Sequence, residues 1–232
     1  MKRIGLIAWG VFGALHAFAQ LHFDASIANN HLWRGMEVAD GVVLTGNVAC
    51  TMLNGYLDMG IWGGSNASGD YKEFNYHLSF QTGGFSLAFW DTYNFSSGAT
   101  YNNREFFNYR AAETGRFLDA IASYRLPKAF PLYLSWSTIL FGRDRNTSNT
   151  VNKYSSFCYV EYPLYDRNGW KVEAGVGGAF ALNQSGNRSH FYGDTPGIVH
   201  VSMRIAHSLS LGHYLLPVHA CAVWNPQSNQ AY

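Results

Sequence analysis

The sequence predicts an all-β chain, an antiparallel up-and-down transmembrane β-barrel of twelve strands whose last strand is absent or incomplete. Three observations predict it. Connections alternate in length: short ones at 53–54, 82–84, 127–131, 166–169 and 208–213, long ones at 34–40, 63–71, 96–115, 143–153 and 183–196. Bacterial outer-membrane barrels are wired in this way, with short periplasmic turns and longer outer loops. Composition agrees, because 13% charged residues falls well below the roughly 25% of soluble domains. The third observation is an apolar-polar alternation of period two in each segment between the connections.

The first element is a leader. Lys2 and Arg3 precede an apolar core over 4–15, and Ala17-Phe18-Ala19 forms a small-x-small cleavage site. The expectation is a cleaved signal peptide over 1–19 and a single barrel domain over 20–232. Beyond Gln20 no apolar run reaches the roughly 18 residues of a membrane helix, so any membrane residence is by strands. Cys50, Cys158 and Cys221 make an odd count, which excludes a fully paired disulfide framework and reads as three small free hydrophobes.

Eleven strands follow, over 21–33, 42–52, 55–63, 72–82, 85–95, 116–126, 131–142, 153–164, 170–182, 197–207 and 214–224. Alternation gives each two faces. In the fourth, Phe74, Tyr76, Leu78 and Phe80 oppose Asn75, His77, Ser79 and Gln81. In the ninth, Trp170, Val172, Ala174 and Val176 oppose Lys171, Glu173, Gly175 and Gly177. In the tenth, Val199, Val201, Met203 and Ile205 oppose His200, Ser202, Arg204 and Ala206. Aromatics gather at the ends of the apolar faces, as interfacial girdles do. A soluble barrel would place its apolar faces inside instead. An odd strand count does not close a bacterial barrel, so a twelfth strand is expected after the turn at 225–230; two candidates merging into a total of ten is the alternative.

Trp33-Arg34-Gly35, Asp40-Gly41, Gly46, Gly55-Tyr56 and Trp62-Gly63-Gly64-Ser65-Asn66 together resemble the opening of the TorF-like porin family of outer-membrane barrels. The resemblance covers residues 21–95, with Gly64 inserted before the Ser-Asn pair and Val42-Val43 where the family often has a proline. It implies an outer-membrane location and a pore, and transfers no catalytic residue.

Arg34, beside Glu37 and Asp40, is expected at the outer mouth, as an anion-steering group or as an ion pair pinning the first loop. The inward charges by alternation are Asp24, Asp58, Asp119, Arg125, Glu161, Lys171, Glu173 and Arg204. If they pair they plug the lumen; if they segregate they line a weakly selective channel. His22, His77, His200 and His219 also face inward, without metal-ligand spacing. Ser79 with His77, and Ser202 with His200, are the nearest approach to a nucleophile-base pair, but residues two apart in a strand stand about 7 Å apart. The loop 96–115, carrying Arg104, Glu105 and Arg110, is the expected constriction.

The resulting expectation is a bacterial outer-membrane barrel without catalytic residue, metal or cofactor, acting as a narrow passive channel for small solutes or ions. Its partners are outer-membrane lipid and those solutes, and a net charge of +1 without basic runs gives nothing for nucleic acid. The alternatives are a non-conducting structural or adhesive barrel, a lipid-modifying enzyme and a soluble secreted β-protein.

Overall fold

A computed structural model describes residues 19–184 and 187–232, so the expected leader lies outside the described residues except for Ala19. The chain forms strands β1 (Gln20–Ala28), β2 (His31–Trp33), β3 (Met36–Ala39), β4 (Val43–Met52), β5 (Leu57–Asn66), β6 (Lys72–Thr82) and β7 (Phe85–Asn94). There follow β8 (Arg116–Arg125), β9 (Tyr133–Gly142), β10 (Ser155–Arg167), β11 (Trp170–Ala181), β12 (Gly197–Leu211), β13 (Tyr214–Asn225) and β14 (Gln230–Ala231). Twelve of them make one antiparallel sheet in the order β1-β4-β5-β6-β7-β8-β9-β10-β11-β12-β13-β14, and β2 with β3 forms a separate hairpin. The eleven expected strands stay distinct and a two-residue twelfth pairs with β13 through Trp224 and Asn225, which removes the ten-strand alternative.

The short turns follow from local chemistry. Asn168 and Gly169 both have positive φ, 54° and 75°, the combination that matches the twist of flanking antiparallel strands. Two connections are shorter than expected by as much as four residues. β5 continues through Gly63 and Gly64 to Asn66, and β12 continues to Leu211, leaving only Gly212-His213 as its turn.

The largest departure lies in the first candidate strand. It ends at Ala28, and after the Asn29-Asn30 break the chain folds into the β2–β3 hairpin. Arg34 (φ 50°) and Gly35 (φ 82°) form its tip. That tip touches β8, β10, β12 and β13, so the sheet curls around the hairpin. The ends of the sheet differ from the rest: along β1, and along most of β13, which the two-residue β14 covers only at Trp224 and Asn225, the residues of both faces are exposed.

Register confirms the two faces. Asp58, Ser79, His77, Trp90 and Asp119 stand in consecutive inward rows, whereas Met59, Leu78 and Phe89 stand in the outward ones. The outward apolar side chains remain exposed, Met59, Leu78, Trp136, Val176 and Met203 among them. The buried apolar core is inside. Phe117, Ile139, Phe157, Ala179, Tyr192 and Val199 enclose Trp33 and Met36 of the hairpin. The interior is therefore packed in one half rather than uniformly wet as the alternation implied. One cause is a register shift of β11 against β12 at Gly177 and Gly178, which leaves Val199 without a partner and fully buried, on the side where His200 also meets Phe157.

Candidate functional site

The hairpin tip organises the interior. Trp33 lies 5.6 Å from Phe117, 5.4 Å from Tyr192 and, edge-on, 5.9 Å from Phe191. Gly35 passes so close to β12 that a Cβ would collide with the Val199 carbonyl oxygen, and the Gly35 carbonyl accepts a 3.0 Å bond from Asn225 Nδ2. Arg34 then has one direction left. Its Nη2 donates to Asp119 Oδ2 at 2.5 Å and its Nη1 to the Tyr192 hydroxyl at 2.5 Å. Its guanidinium also lies over the rings of Trp33, Phe157 and Tyr192. The Arg34 and Asp119 side chains are 9% and 4% exposed, so the pair is buried. Arg34 is thus not a steering charge at the outer mouth. Its expected neighbours are engaged elsewhere: Glu37 accepts from Asn30, and Asp40 accepts from the Gly41 amide.

The remaining inward charges fall into two groups. Around β10 to β12, Glu173 accepts from Arg204 at 3.1 Å and pairs with Lys171, while Arg125 reaches Glu161 at 3.4 Å. The Tyr159 hydroxyl joins them by donating to Glu161 and lying 3.4 Å from Ser202 Oγ. Around β1 to β6, Asp58 accepts from Thr51 and stands 3.7 Å from His22 and 3.8 Å from His77. His77 also bonds Asn47, whose amide reaches Asp24 at 3.4 Å. The charges pair rather than segregate. His200 sits edge-on against Tyr159 at 5.4 Å. Neither Ser79 nor Ser202 bonds the histidine beside it among the described residues, and no group of three or more His, Cys, Asp or Glu among them has metal-binding geometry.

Between the hairpin and the wall β5 to β8 lies a cavity of about 590 Å³. Trp62, Trp90 and Trp33 line it with Glu73, Asn75 and Asp119. Its rim includes residues of three long connections. Tyr101 packs over the Arg143 guanidinium at 3.9 Å, and Phe191 takes another side of the same group at 4.7 Å. Phe191 is held in turn by its amide, which donates to Ser155 Oγ, while that hydroxyl donates to Asp144. Burial raises the Asp144 carboxyl from its ordinary value, opposed by the Ser155 hydrogen bonds. Burial also raises the Tyr192 phenol, which keeps it neutral against Arg34.

The expected constriction loop does something else. Only its first part, through Ser96, Gly98, Ala99 and Tyr101, borders the cavity. Arg104, Glu105 and Arg110 are exposed, and the segment clasps the outer face of the sheet. There Phe106 packs on outward-facing Phe74 and Tyr93. Beneath it Arg116 is buried, donating to the Phe106 carbonyl at 2.7 Å and to Asp91 at 2.9 Å. Four rings surround the Arg116 guanidinium: those of Phe106, Tyr93, Tyr109 and Tyr76. The loop's aromatics therefore cover an outward arginine whose Nη2 has no hydrogen-bond acceptor among the described residues.

No family model, curated protein or solved structure gives a significant match to the chain. The site rests on its own geometry.

Alternation placed Asp24, His77, Asp119, Arg125, Lys171, Glu173, His200 and Arg204 on the inner face, where the structure has them. It missed Tyr192, Arg143 and Phe191, which come from connections without periodicity. It also missed Arg116 and Asp91. Their signal was present, since both share parity with Leu118, Phe89 and Leu87 on the apolar face.

Proposed function

We propose that this chain is an outer-membrane β-barrel protein whose interior is a narrow passage for small solutes, with the β2–β3 hairpin as its obstruction. One observation carries the reading: the sorting of residues across the twelve-stranded up-and-down sheet. Large apolar side chains point outward and stay exposed, including Phe23 at 70% and Met203 at 50%, while Asp58, Glu161, Glu173 and Arg204 point inward. A soluble barrel has the reverse sorting. Lys or Arg on the outer face at a bilayer midplane would cost about 2–4 kcal/mol, and the buried outward arginine Arg116 is shielded by the loop before it.

Arg204 and Lys171 are part-exposed, the cavity lies beside the hairpin, and the buried Arg34–Asp119 pair ties the hairpin tip to β8. Fractionation with outer membranes and a heat-dependent gel shift test the barrel. Planar-bilayer recording tests the passage. Wild-type protein is expected to give small currents, and the double variant Arg34→Ala with Asp119→Ala larger ones, since it frees the tip without leaving a buried charge. A folded barrel silent in both forms sinks the channel.

The pairing of the interior charges favours a second reading, a non-conducting barrel that works through its loops. Silence in both forms, with loop-dependent binding to a cell surface, would establish that reading.

A further inference from the structure

The cavity beside the hairpin combines two kinds of wall. Trp62 from β5, Trp90 from β7 and Trp33 from the hairpin contribute aromatic lining, Trp90 with one face stacked on His77 and Trp33 with one face under the Arg34 guanidinium. Facing them, Glu73 is held by two amides: Asn75 Nδ2 donates to its Oε1 at 2.8 Å and Asn94 Nδ2 to its Oε2 at 3.4 Å. A carboxylate fixed in this way keeps acceptor capacity in a set orientation, because each oxygen has more than one lone pair.

Two further atoms on the cavity residues are buried without a protein hydrogen-bond partner, Asp119 Oδ1 and Arg143 Nε–H. One is an acceptor and one a donor. Buried polar atoms are nearly always satisfied, and leaving one unpaired costs about 1–3 kcal/mol. At about 590 Å³ the space lies within the usual range of small-molecule sites, roughly 300–1,000 Å³.

Charge narrows the ligand. Arg34 already neutralises Asp119, so among the lining residues Glu37 and Glu73 stand against Arg143, whose faces Tyr101, Phe117 and Phe191 already occupy. Carboxylate and phosphate ligands meet repulsion there. A group that offers many hydroxyls, each donor and acceptor, and a C–H face for the rings satisfies both walls.

We infer that this cavity binds a neutral saccharide, of mono- to disaccharide size, through ring stacking on the tryptophans and hydroxyl hydrogen bonds to Glu73, Asn75 and Asp119. The inference deepens the channel reading, on which it rests for the solute's onward route, but binding itself is read without current. The two ideas can therefore fail separately.

The test uses the whole chain folded in detergent, with folding checked by the heat-dependent gel shift. Intrinsic tryptophan fluorescence and calorimetry follow titration with glucose, maltose and trehalose, and with glucuronate and adenosine for contrast. The expected result is saturable binding of at least one neutral saccharide, with glucuronate at least tenfold weaker. Glu73→Gln and Trp62→Phe should each weaken the saccharide by tenfold or more while the gel shift persists. No saturable response to the three neutral sugars overturns the inference. So does equal binding of glucuronate, preference for adenosine, or unchanged affinity in both variants.

Discussion

Arg34 is held by an acid on one side and a phenol on the other, in a place that water barely reaches. Breaking a buried pair by removing one partner leaves the other charge desolvated, at a cost of about 3–5 kcal/mol. Arg34→Ala should therefore lower stability by that amount in denaturant titrations. Arg34→Met with Asp119→Leu should recover most of the loss, because no charge is then left buried. His190 gives a pH dependence at the same site. Its Nε2–H donates to the Thr195 carbonyl and its Nδ1 accepts from the Tyr192 amide, so the neutral ring is fully bonded and the charged ring is not. Burial lowers its pKa from 6.5, and the nearby Lys153 adds to that, against the Thr195 hydrogen bond and the charges of Asp144 and Asp194. A depressed native histidine gives stability that is full above about pH 6.5 and lost as pH falls toward the native value. Tyr192 should thus release Arg34 under mild acid. The protection factor of the Tyr192 amide against hydrogen exchange, corrected for the intrinsic pH dependence, should fall below pH 6.5, and His190→Gln should flatten that profile.

Among the elements, the strands were legible and the hairpin was not. Period-two alternation depends on neighbouring residues alone, so it located β4 to β13 within a few positions. The hairpin depends on where its tip lands, and Val199, Asp119 and Asn225 are remote in sequence. Trp33-Arg34-Gly35 carried the necessary turn chemistry, but nothing local distinguished an inward tip from an outer loop. Gly35 tests the docking. With φ at +82° and the Val199 carbonyl against it, Gly35→Ala should cost about 1–3 kcal/mol, read as new protease cleavage between β1 and β4 with the sheet intact. The clasp on the outer face makes the opposite prediction. Phe106 caps Arg116 and Phe74, so Phe106→Ala should loosen the 96–115 segment by roughly 2 kcal/mol. Limited proteolysis should then cut near Arg104, while single-channel conductance stays unchanged. A conductance change on that substitution would restore the loop to the role of constriction.

At the scale of the whole molecule, the sequence was read through its low charge, its alternation and its connection lengths, and each has a counterpart in the sheet. Sorting by face survives to the structure because a one-residue slip would invert every strand. What did not survive was the expectation of an evenly polar interior. Aromatics from 183–196 and from the hairpin pack there, and no periodicity in those segments could announce it. The arrangement also has a temporal side. Each ladder of the sheet joins strands adjacent in its meander, so it can zip from turn to turn. The hairpin's anchors lie 85, 158 and 190 residues away along the chain. Contacts of such separation bring little until the intervening chain is in place. The segment made among the first should be the last to find its seat, and each new molecule would pass through a stage with its wall assembled and its centre still empty.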